Sequence, residues 1–574
     1  MWFVDTEVFA YNWMMVAINP INKEKVIIVD DRKEFSEFYN KNKNDIWCGW
    51  NIREYDQFII KGIILGFDVK KINDWIIVDK KRGYEFTSMF RQVPLIFYDV
   101  MPAIPVSLKV MEGFLGKNIH ETSVPFDIDR PLTKDEIDET ISYCTDDVLN
   151  LIEVFLHRKS EFDAQLSLVK EFNLPLSAIG KTQANLAAMI LDAKKVRLKD
   201  EWDIRLPDNL QLGKYKEVGE WFLDKNNHDY NAKLEIEIAG MTNTIAFGGL
   251  HAGRDKFTYV CKDDEVILDA DIGQMYPNIM LHYNLQSRGV QNKRKLKEIL
   301  ETSMRLKREG KKKEREPFKR ICNIVYGAEG TRFNPMYDAL HRNLVCVFGQ
   351  VLIIDLIDKI DDLIFSLNHN TDGIFFVVKK KNIDELKRRI HEWEQRTHLI
   401  MEYDEYVKFV SKDVNNYVAI RADGSYHAKG AYVKELSEID YDLPIVNEAV
   451  KYYIIKKIPV ENTILGCNEL IKFQKVVKLS NKYKWVEHEK GDSKEKFDNK
   501  CYRVFASKDQ RDGRILKCDG VRNPAKFGNT PDRCFIVNGD ITEAKTDWFP
   551  KLDKQYYVDL VKKRLEDFGV DFNG

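Results

Sequence analysis

Four short apolar runs in the first hundred residues, WFVD (2–5), KVIIVD (25–30), NDWIIVD (73–79) and LIFYDV (95–100), alternate with stretches of helical spacing. Runs of this length, bounded by polar residues, read as strands, and strands separated by helices call for a sheet with its faces covered. The first third is expected to be an α/β domain built around a sheet. Thr133 with Glu136 forms a capping box, and the helix it opens carries apolar residues through Ile137, Ile141, Leu149 and Leu151 to Phe155. Residues 160–240 read as helices and connectors. Beyond them, TYVCKDDEVILDADIG suggests a hairpin-like pair of strands. NKRKLKEILETSMRLKREG and PFKRICNIVYG suggest two helices broken at Gly310, with Pro317 in the first turn of the second. DDLIFSLNHNTDGIFFVVKKK reads as two strands around a tight Asn/Asp/Gly turn.

A chain of 574 residues can bury several cores, and its 44% hydrophobic and 31% charged residues suit a globular protein. The net charge of −2 neither announces nor excludes a polyanionic partner, so any nucleic-acid footprint has to be local. One such footprint runs from Lys293 to Arg320, with thirteen Lys or Arg against five Asp or Glu. The nine cysteines contain no CxxC pair and read as reduced thiols. The first fifteen residues lack a basic export segment and no apolar run is long enough to span a bilayer, so no membrane association is expected.

Asp5 and Glu7 stand two apart in a strand-like run, so their side chains leave one face and can share one metal site. Asn51, Tyr55 and Asp56 form N-x3-YD after a tryptophan-rich strand, and Tyr143 and Asp147 lie at i, i+4 on the capped helix. Asp146 is an adjacent rival to Asp147. Phosphodiester hydrolysis needs the scissile phosphate neutralised and a water deprotonated, and two divalent ions held by about four carboxylates supply both. Asp5, Glu7, Asp56 and Asp147 are such a quartet, with Tyr143 placed to aim the water. The ordered set resembles the three exonuclease motifs of proofreading polymerases of the DEDDy type.

A second set follows. ADIGQMYPNIM puts Asp271 at a strand end, five residues before Tyr276 and Pro277, and KRICNIVYG brings Lys319, Asn323 and Tyr326 to one helical stripe. NHNTDGIFF keeps Asp372 at a turn but has Asn370 and Gly373 around it. These resemble motifs A, B and C of family B DNA polymerases of bacterial viruses, with Asn370 where an aspartate and Gly373 where a serine is usual. AFGGLHAG resembles the YxGG segment that approaches DNA, with Phe247 for the tyrosine before Gly248 and Gly249. NNYVAIRADGSYHAKG resembles the KxY region that grips the primer terminus, with Tyr417 kept, Asn415 for the lysine, and Lys412 or Lys429 left to compensate.

The resemblance implies a ribonuclease H-like exonuclease domain followed by a right-hand polymerase of palm, fingers and thumb, in an α/β and α+β multidomain chain. The expected division is exonuclease over residues 1–190, connector and first palm part over 191–290, fingers over 291–330, second palm part over 331–440 and thumb over 441–574. By the same resemblance Asp271, Asp372 and the Ile272 carbonyl hold two Mg²⁺ in the polymerase site, and the exonuclease quartet holds two more, with Mn²⁺ able to substitute. Lys319, Asn323, Tyr326 and Tyr276 meet the incoming nucleotide, Tyr276 as a gate against a ribose 2′-hydroxyl. Asn51, Phe247, Gly248, Gly249, Tyr417 and Lys429 meet DNA. The expected partners are primer-template DNA, dNTPs and other replication proteins such as a single-strand-binding protein, for a monomer acting in the cytoplasm of a bacterial host.

The gaps of 41 residues between Pro277 and Lys319 and 44 between Gly327 and Asp372 leave little room for the insertions of protein-primed relatives, so an ordinary primer is expected. The N-terminal domain that precedes the first exonuclease motif in larger relatives is also expected to be missing. Two rivals stand beside this reading. One is an exonuclease with a degenerate polymerase half, motivated by Asn370 and Asn415, and the other is a non-catalytic clamp on primer junctions.

Overall fold

In a computed structural model, residues 1–437, 439–542 and 548–570 are described. The chain forms two compact units: Met1–Lys181 with Leu436–Val446 and Thr463–Val558, and Thr182–Glu435 with Asn447–Asn462 and Asp559–Gly574. The architecture is mixed α/β with several sheets and, among the described residues, sixteen α-helices. None of those helices is long and apolar enough to cross a membrane.

The first unit is built on a five-stranded sheet of order β3-β2-β1-β4-β5, formed by β1 (Trp2–Val8), β2 (Trp13–Asn19), β3 (Glu24–Val29), β4 (Ile46–Gly49) and β5 (Ile96–Asp99). β1 pairs antiparallel with β2 and parallel with β4. Trp2, Val4, Met15, Ala17 and Trp47 fill the core on one side, where burial of such large apolar groups contributes most of the driving force. Among the helices of this unit, α1 (Asp56–Leu65) and α3 (Lys134–His157) pack on β1, and α2 (Leu108–Phe114) packs on α3. The capping box at Thr133 and Glu136 is formed, with both hydrogen bonds present.

Three of the four apolar runs are strands, but NDWIIVD is not. Residues Val69–Ile77 form a helix capped by Asp68, whose carboxylate accepts from the Lys70 N–H. Its apolar side chains fall at helical spacing, with Val69 and Ile72 buried, and the N-cap decides between two readings that a short apolar run leaves open.

The same unit holds two smaller antiparallel sheets between Lys475 and Ile536. Arg503, at the centre of one of them, is fully buried. Its guanidinium donates to the carbonyls of Gly113, Lys117, Val537 and Gly539 and to Gln474 Oε1. Burial pulls its pKa down to about 10.

The second unit is organised by a seven-stranded antiparallel sheet of order β13-β10-β12-β11-β8-β7-β6. In chain order its strands are β6 (Leu234–Ile238), β7 (Met241–Ala246), β8 (Gly249–Gly253), β10 (Glu265–Ile272), β11 (Ile364–His369), β12 (Gly373–Lys379) and β13 (Met401–Tyr406). A four-stranded sheet of order β16-β15-β14-β9 packs the aromatic core beside it, from β9 (Phe257–Val260), β14 (Lys408–Asp413), β15 (Asn416–Ile420) and β16 (Tyr426–Lys429). The hairpin expected over 258–273 therefore does not exist. β9 pairs with β14, and β10 with β12 and β13, because both strands find longer partners elsewhere than each other.

β11 and β12 do form the expected hairpin. The helices of this unit include α4 (Met275–His282), α5 (Lys293–Arg308), α6 (Lys312–Glu329) and α7 (Ala339–Ile360). α5 and α6 flank Gly310 as expected, but Pro317 lies inside α6 rather than in its first turn, so the Lys313 carbonyl lacks its helical donor. α6 also runs through Gly327 to Glu329. α7 is apolar on nearly every face and is buried along most of its length, as such a helix must be.

Candidate active sites

The first unit gathers four carboxylates from three distant segments. Asp5 and Glu7 leave one face of β1, Asp56 is the first residue of α1, and Asp147 lies in α3. Thr6 Oγ1 donates to Asp56 Oδ1 at 2.7 Å, which ties α1 to β1. The Cys144 thiol, also on α3, donates to Asp5 Oδ2 at 3.3 Å. Tyr143, one turn before Asp147, hydrogen-bonds its carboxylate.

These acids raise one another. Burial pushes Asp5 well above the usual carboxylate range, and Asp56 and Asp147 push it further. Burial, then Asp5, Asp147 and Asp56, do the same to Glu7, and burial lifts Asp56 to about 7. Lys109, from α2, is the cation that opposes the rise in Asp5, Glu7 and Asp147. It pairs with Asp147 Oδ1 and with Glu112 Oε1, the latter at 3.2 Å, and lies 4.6 Å from the centre of the Tyr143 ring. Glu112 is fully buried, its Oε2 has no hydrogen-bond partner, and burial pushes its carboxyl up to about 7. One lysine against five carboxylates leaves the pocket short of positive charge.

The donor set fits a hard divalent cation. It is made of carboxylate oxygens, the ligands Mg²⁺ and Mn²⁺ select. Ligand atoms of Asp5, Glu7 and Cys144 all lie within 4.8 Å of one another. Cys144 belongs to that group as a hydrogen-bond donor, because burial and the neighbouring acids push its thiol pKa well up and disfavour the thiolate a metal would need. Asp146 turns away from this group toward His120, 4.0 Å off. Asn51 takes a left-handed backbone, φ 62°, and its N–H donates to Asp99 Oδ1 at 3.0 Å. Asp99 also accepts from the N–H groups of Arg53 and Met101 and so shapes the loop that leads into α1.

The second unit places Asp271 at the end of β10 and Asp372 in the β11–β12 turn. Asp271 pairs with Gly373 across the two strands, and the Ile272 N–H donates to the Asp372 carbonyl at 2.8 Å. A Cβ at Gly373 would collide with Asp271 Oδ1, so the glycine is what leaves room for that carboxylate. Burial first, and Asp372 second, raise Asp271 to about 6. Asp269, two residues back on the same face, is raised to about 8 by burial and by Asp271. Lys429 on β16 opposes both shifts. Here too the oxygen-only donors and the surplus of negative charge fit a hard divalent cation.

The remaining sequence candidates divide. Tyr276 on α4 stacks on Tyr326 of α6 with ring centres 4.1 Å apart and planes 23° from parallel. Lys319 and Asn323 lie on the same solvent-reached side of α6. Gly249, at φ 146°, lies so near Thr371 that a Cβ would come 2.5 Å from its hydroxyl, and the Leu250 N–H donates to that hydroxyl. Gly248 has open space around it. Phe247, by contrast, is fully buried among Trp202, Trp221 and Phe222, so its ring serves the core. Tyr417 is 3% exposed and packs on Phe375 and Phe409. The Asn370 side chain donates to Asn368 Oδ1 at 2.9 Å, within its own hairpin.

Several contributors escaped sequence reasoning. Lys109 and Glu112 carry no spacing signal relative to β1. Asp269, Glu402 and Asp404 did carry one: DAD over 269–271 and EYD over 402–404 are alternating acids like those at 5 and 7, and the β10–β13 register sets Asp271 opposite Glu402 and Asp269 opposite Asp404. Compared with models of known protein families and with curated proteins, the chain matches none.

Proposed function

We propose that this chain is a DNA-templated DNA polymerase with its own 3′ to 5′ proofreading exonuclease, similar to the family B polymerases of bacterial viruses. In this reading the five-stranded sheet and α3 form a ribonuclease H-like exonuclease, the seven-stranded sheet is the palm and α5 with α6 are the fingers. The observation that carries it is the meeting of Asp271 and Asp372 at one end of β10, with the Tyr276–Tyr326 pair beside them. A bare metal-binding protein has no need of that aromatic pair, whereas a nucleotidyl transferase needs a seat for a sugar and base next to its acids.

Asp271 and Asp372, with the Ile272 carbonyl, would hold the polymerase Mg²⁺, and Asp5, Glu7, Asp56 and Asp147 the exonuclease Mg²⁺. When bound, such ions neutralise phosphate charge and lower the pKa of a coordinated hydroxyl or water. Lys319 clamps the triphosphate as a point charge, and Tyr276 excludes a 2′-hydroxyl by bulk. In the other site Tyr143 orients the attacking water through its hydroxyl. Lys429, rather than a KxY lysine, meets the primer end. Single-strand-binding or other replication proteins are proposed partners, and the host bacterial cytoplasm the proposed compartment.

Primer extension by Asp5→Ala with dNTPs and Mg²⁺ tests the reading. Extension without excision supports both activities. Loss of every activity on DNA leaves only an exonuclease with a spent polymerase half, the reading favoured by an Asn370 amide that is engaged with Asn368. DNA binding that is indifferent to Asp271→Ala and Asp372→Ala would leave a clamp.

A further inference from the structure

A cavity of about 890 Å³ opens in the second unit on the far side of α4 from the tyrosine pair. Asn278, Leu281 and His282 line it from α4, at positions 2, 5 and 6 residues after Tyr276. Residues two apart on a helix point about 200° apart, so the cavity and the Tyr276 seat use opposite faces of one helix. α5 forms a second wall with Arg294, Lys297 and Leu300, and the helix Ile383–Thr397 with the residues after it forms a third, including His398 and Ile400. The volume lies in the range of small-molecule sites.

Its chemistry is specific. His282 and His398 stack with ring centres 5.6 Å apart and planes 29° from parallel, a flat platform beside Leu281, Leu300 and Ile400. Ile400 is 62% exposed, an apolar surface with no protein covering it. Every carboxylate on the walls has a partner: Glu301 pairs with Lys297 at 3.8 Å, Glu394 accepts from the Met401 N–H at 2.8 Å, and Glu402 pairs with Lys307 at 2.5 Å. Arg294, in contrast, has no ion-pair partner among the described residues. It stands in the first turn of α5, whose N-cap residue Asn292 makes no side-chain cap bond, so backbone N–H groups and the helix dipole add to its pull on an anion. The unmet demand of the cavity is thus for an anion at Arg294, beside a Lys297 whose pair with Glu301 is long and exposed, and for a flat ring at the histidine end. Lys297 and His282 line the same cavity, which puts both ends within reach of one ligand.

We propose that this cavity binds a nucleoside phosphate at a site separate from the proposed catalytic nucleotide seat. The phosphates meet Arg294 and Lys297, and the base lies on the His282–His398 platform between Leu281 and Ile400. The site borders the second acidic cleft through backbone: the Gly273 N–H donates to the Ile400 carbonyl at 2.8 Å, and Glu402 lies opposite Asp271. A bound nucleotide would therefore stiffen the strand end that carries Asp271, and the site is suited to regulation by nucleotide level.

The test uses the full chain with ATP as probe, in EDTA and without DNA, followed by calorimetry and by hydrogen exchange. One ATP should bind and should protect amides in 278–282, 293–301 and 396–402. Arg294→Glu with Lys297→Glu, both exposed positions, should weaken it at least tenfold, and Lys319→Ala should leave it unchanged. Adenosine and tripolyphosphate separately should each bind at least tenfold more weakly than ATP. Tripolyphosphate binding as well as ATP would overturn the role of the ring platform. Absence of protection at these helices, or equal loss in Lys319→Ala, would overturn the site itself.

Discussion

Glu112→Gln should make the first unit more stable, and only at neutral and alkaline pH. Glu112 is fully buried, and its folded pKa of about 7 stands above an ordinary 4.5. A raised folded pKa means that the folded state holds the proton more tightly, so wild-type stability falls as pH rises from 4.5 through about 7 and then levels off. The gap of about 2.5 pH units, at ~1.36 kcal/mol per unit, makes ionisation cost the folded state up to ~3 kcal/mol. Glutamine has the same shape, keeps an oxygen for Lys109 and carries no charge to bury. The variant should match wild type near pH 4.5 and exceed it by up to ~3 kcal/mol near pH 8. Urea unfolding at both pH values, with hydrogen exchange of β1 amides to report on this unit, measures the difference. A variant less stable than wild type by the same amount at both pH values would refute the reasoning, because the Lys109 pair would then outweigh the burial of charge.

Three further outcomes are expected. Phe247→Ala should cost ~3–5 kcal/mol in urea unfolding of the second unit, the range for removing a buried aromatic ring, whatever its effect on DNA binding. Arg503→Met should cost ~3–5 kcal/mol in the first unit by leaving several buried carbonyls without donors, again read by urea unfolding. Gly373→Ala should slow primer extension by about 100-fold by turning the Asp271 carboxylate aside, since displacements near 1 Å carry effects of that order, while excision of a primer end on the same chain is unchanged.

Much of this fold could be read locally. The helix after Thr133 announces itself by its capping box, and the β11–β12 hairpin by its turn residues, because both signals lie within a few residues of one another. NDWIIVD could not be decided from apolar content, since a short run fits a strand or two helical turns, and the deciding atom is the Asp68 carboxylate on the Lys70 N–H. The partners of β9 and β10 are set by segments well over a hundred residues downstream, which no local pattern encodes. The acids at 5, 7, 56 and 147 were legible as spaced motifs. Lys109 was not, since a lysine becomes a counter-ion only when folding brings it among carboxylates. Phe247 shows the reverse case: a motif position was legible, but its ring packs in an aromatic cluster that no spacing foretells.

The Tyr276–Tyr326 pair has one more consequence. At 4.1 Å the two rings touch across their faces, and nothing planar can slip between them. A ring that approaches Asp271 must therefore lie on the outer faces or edges of the pair, which α4 and α6 present as one surface. Gly310, at φ 71° just past the end of α5, makes the turn that brings α6, and with it Tyr326, back onto Tyr276.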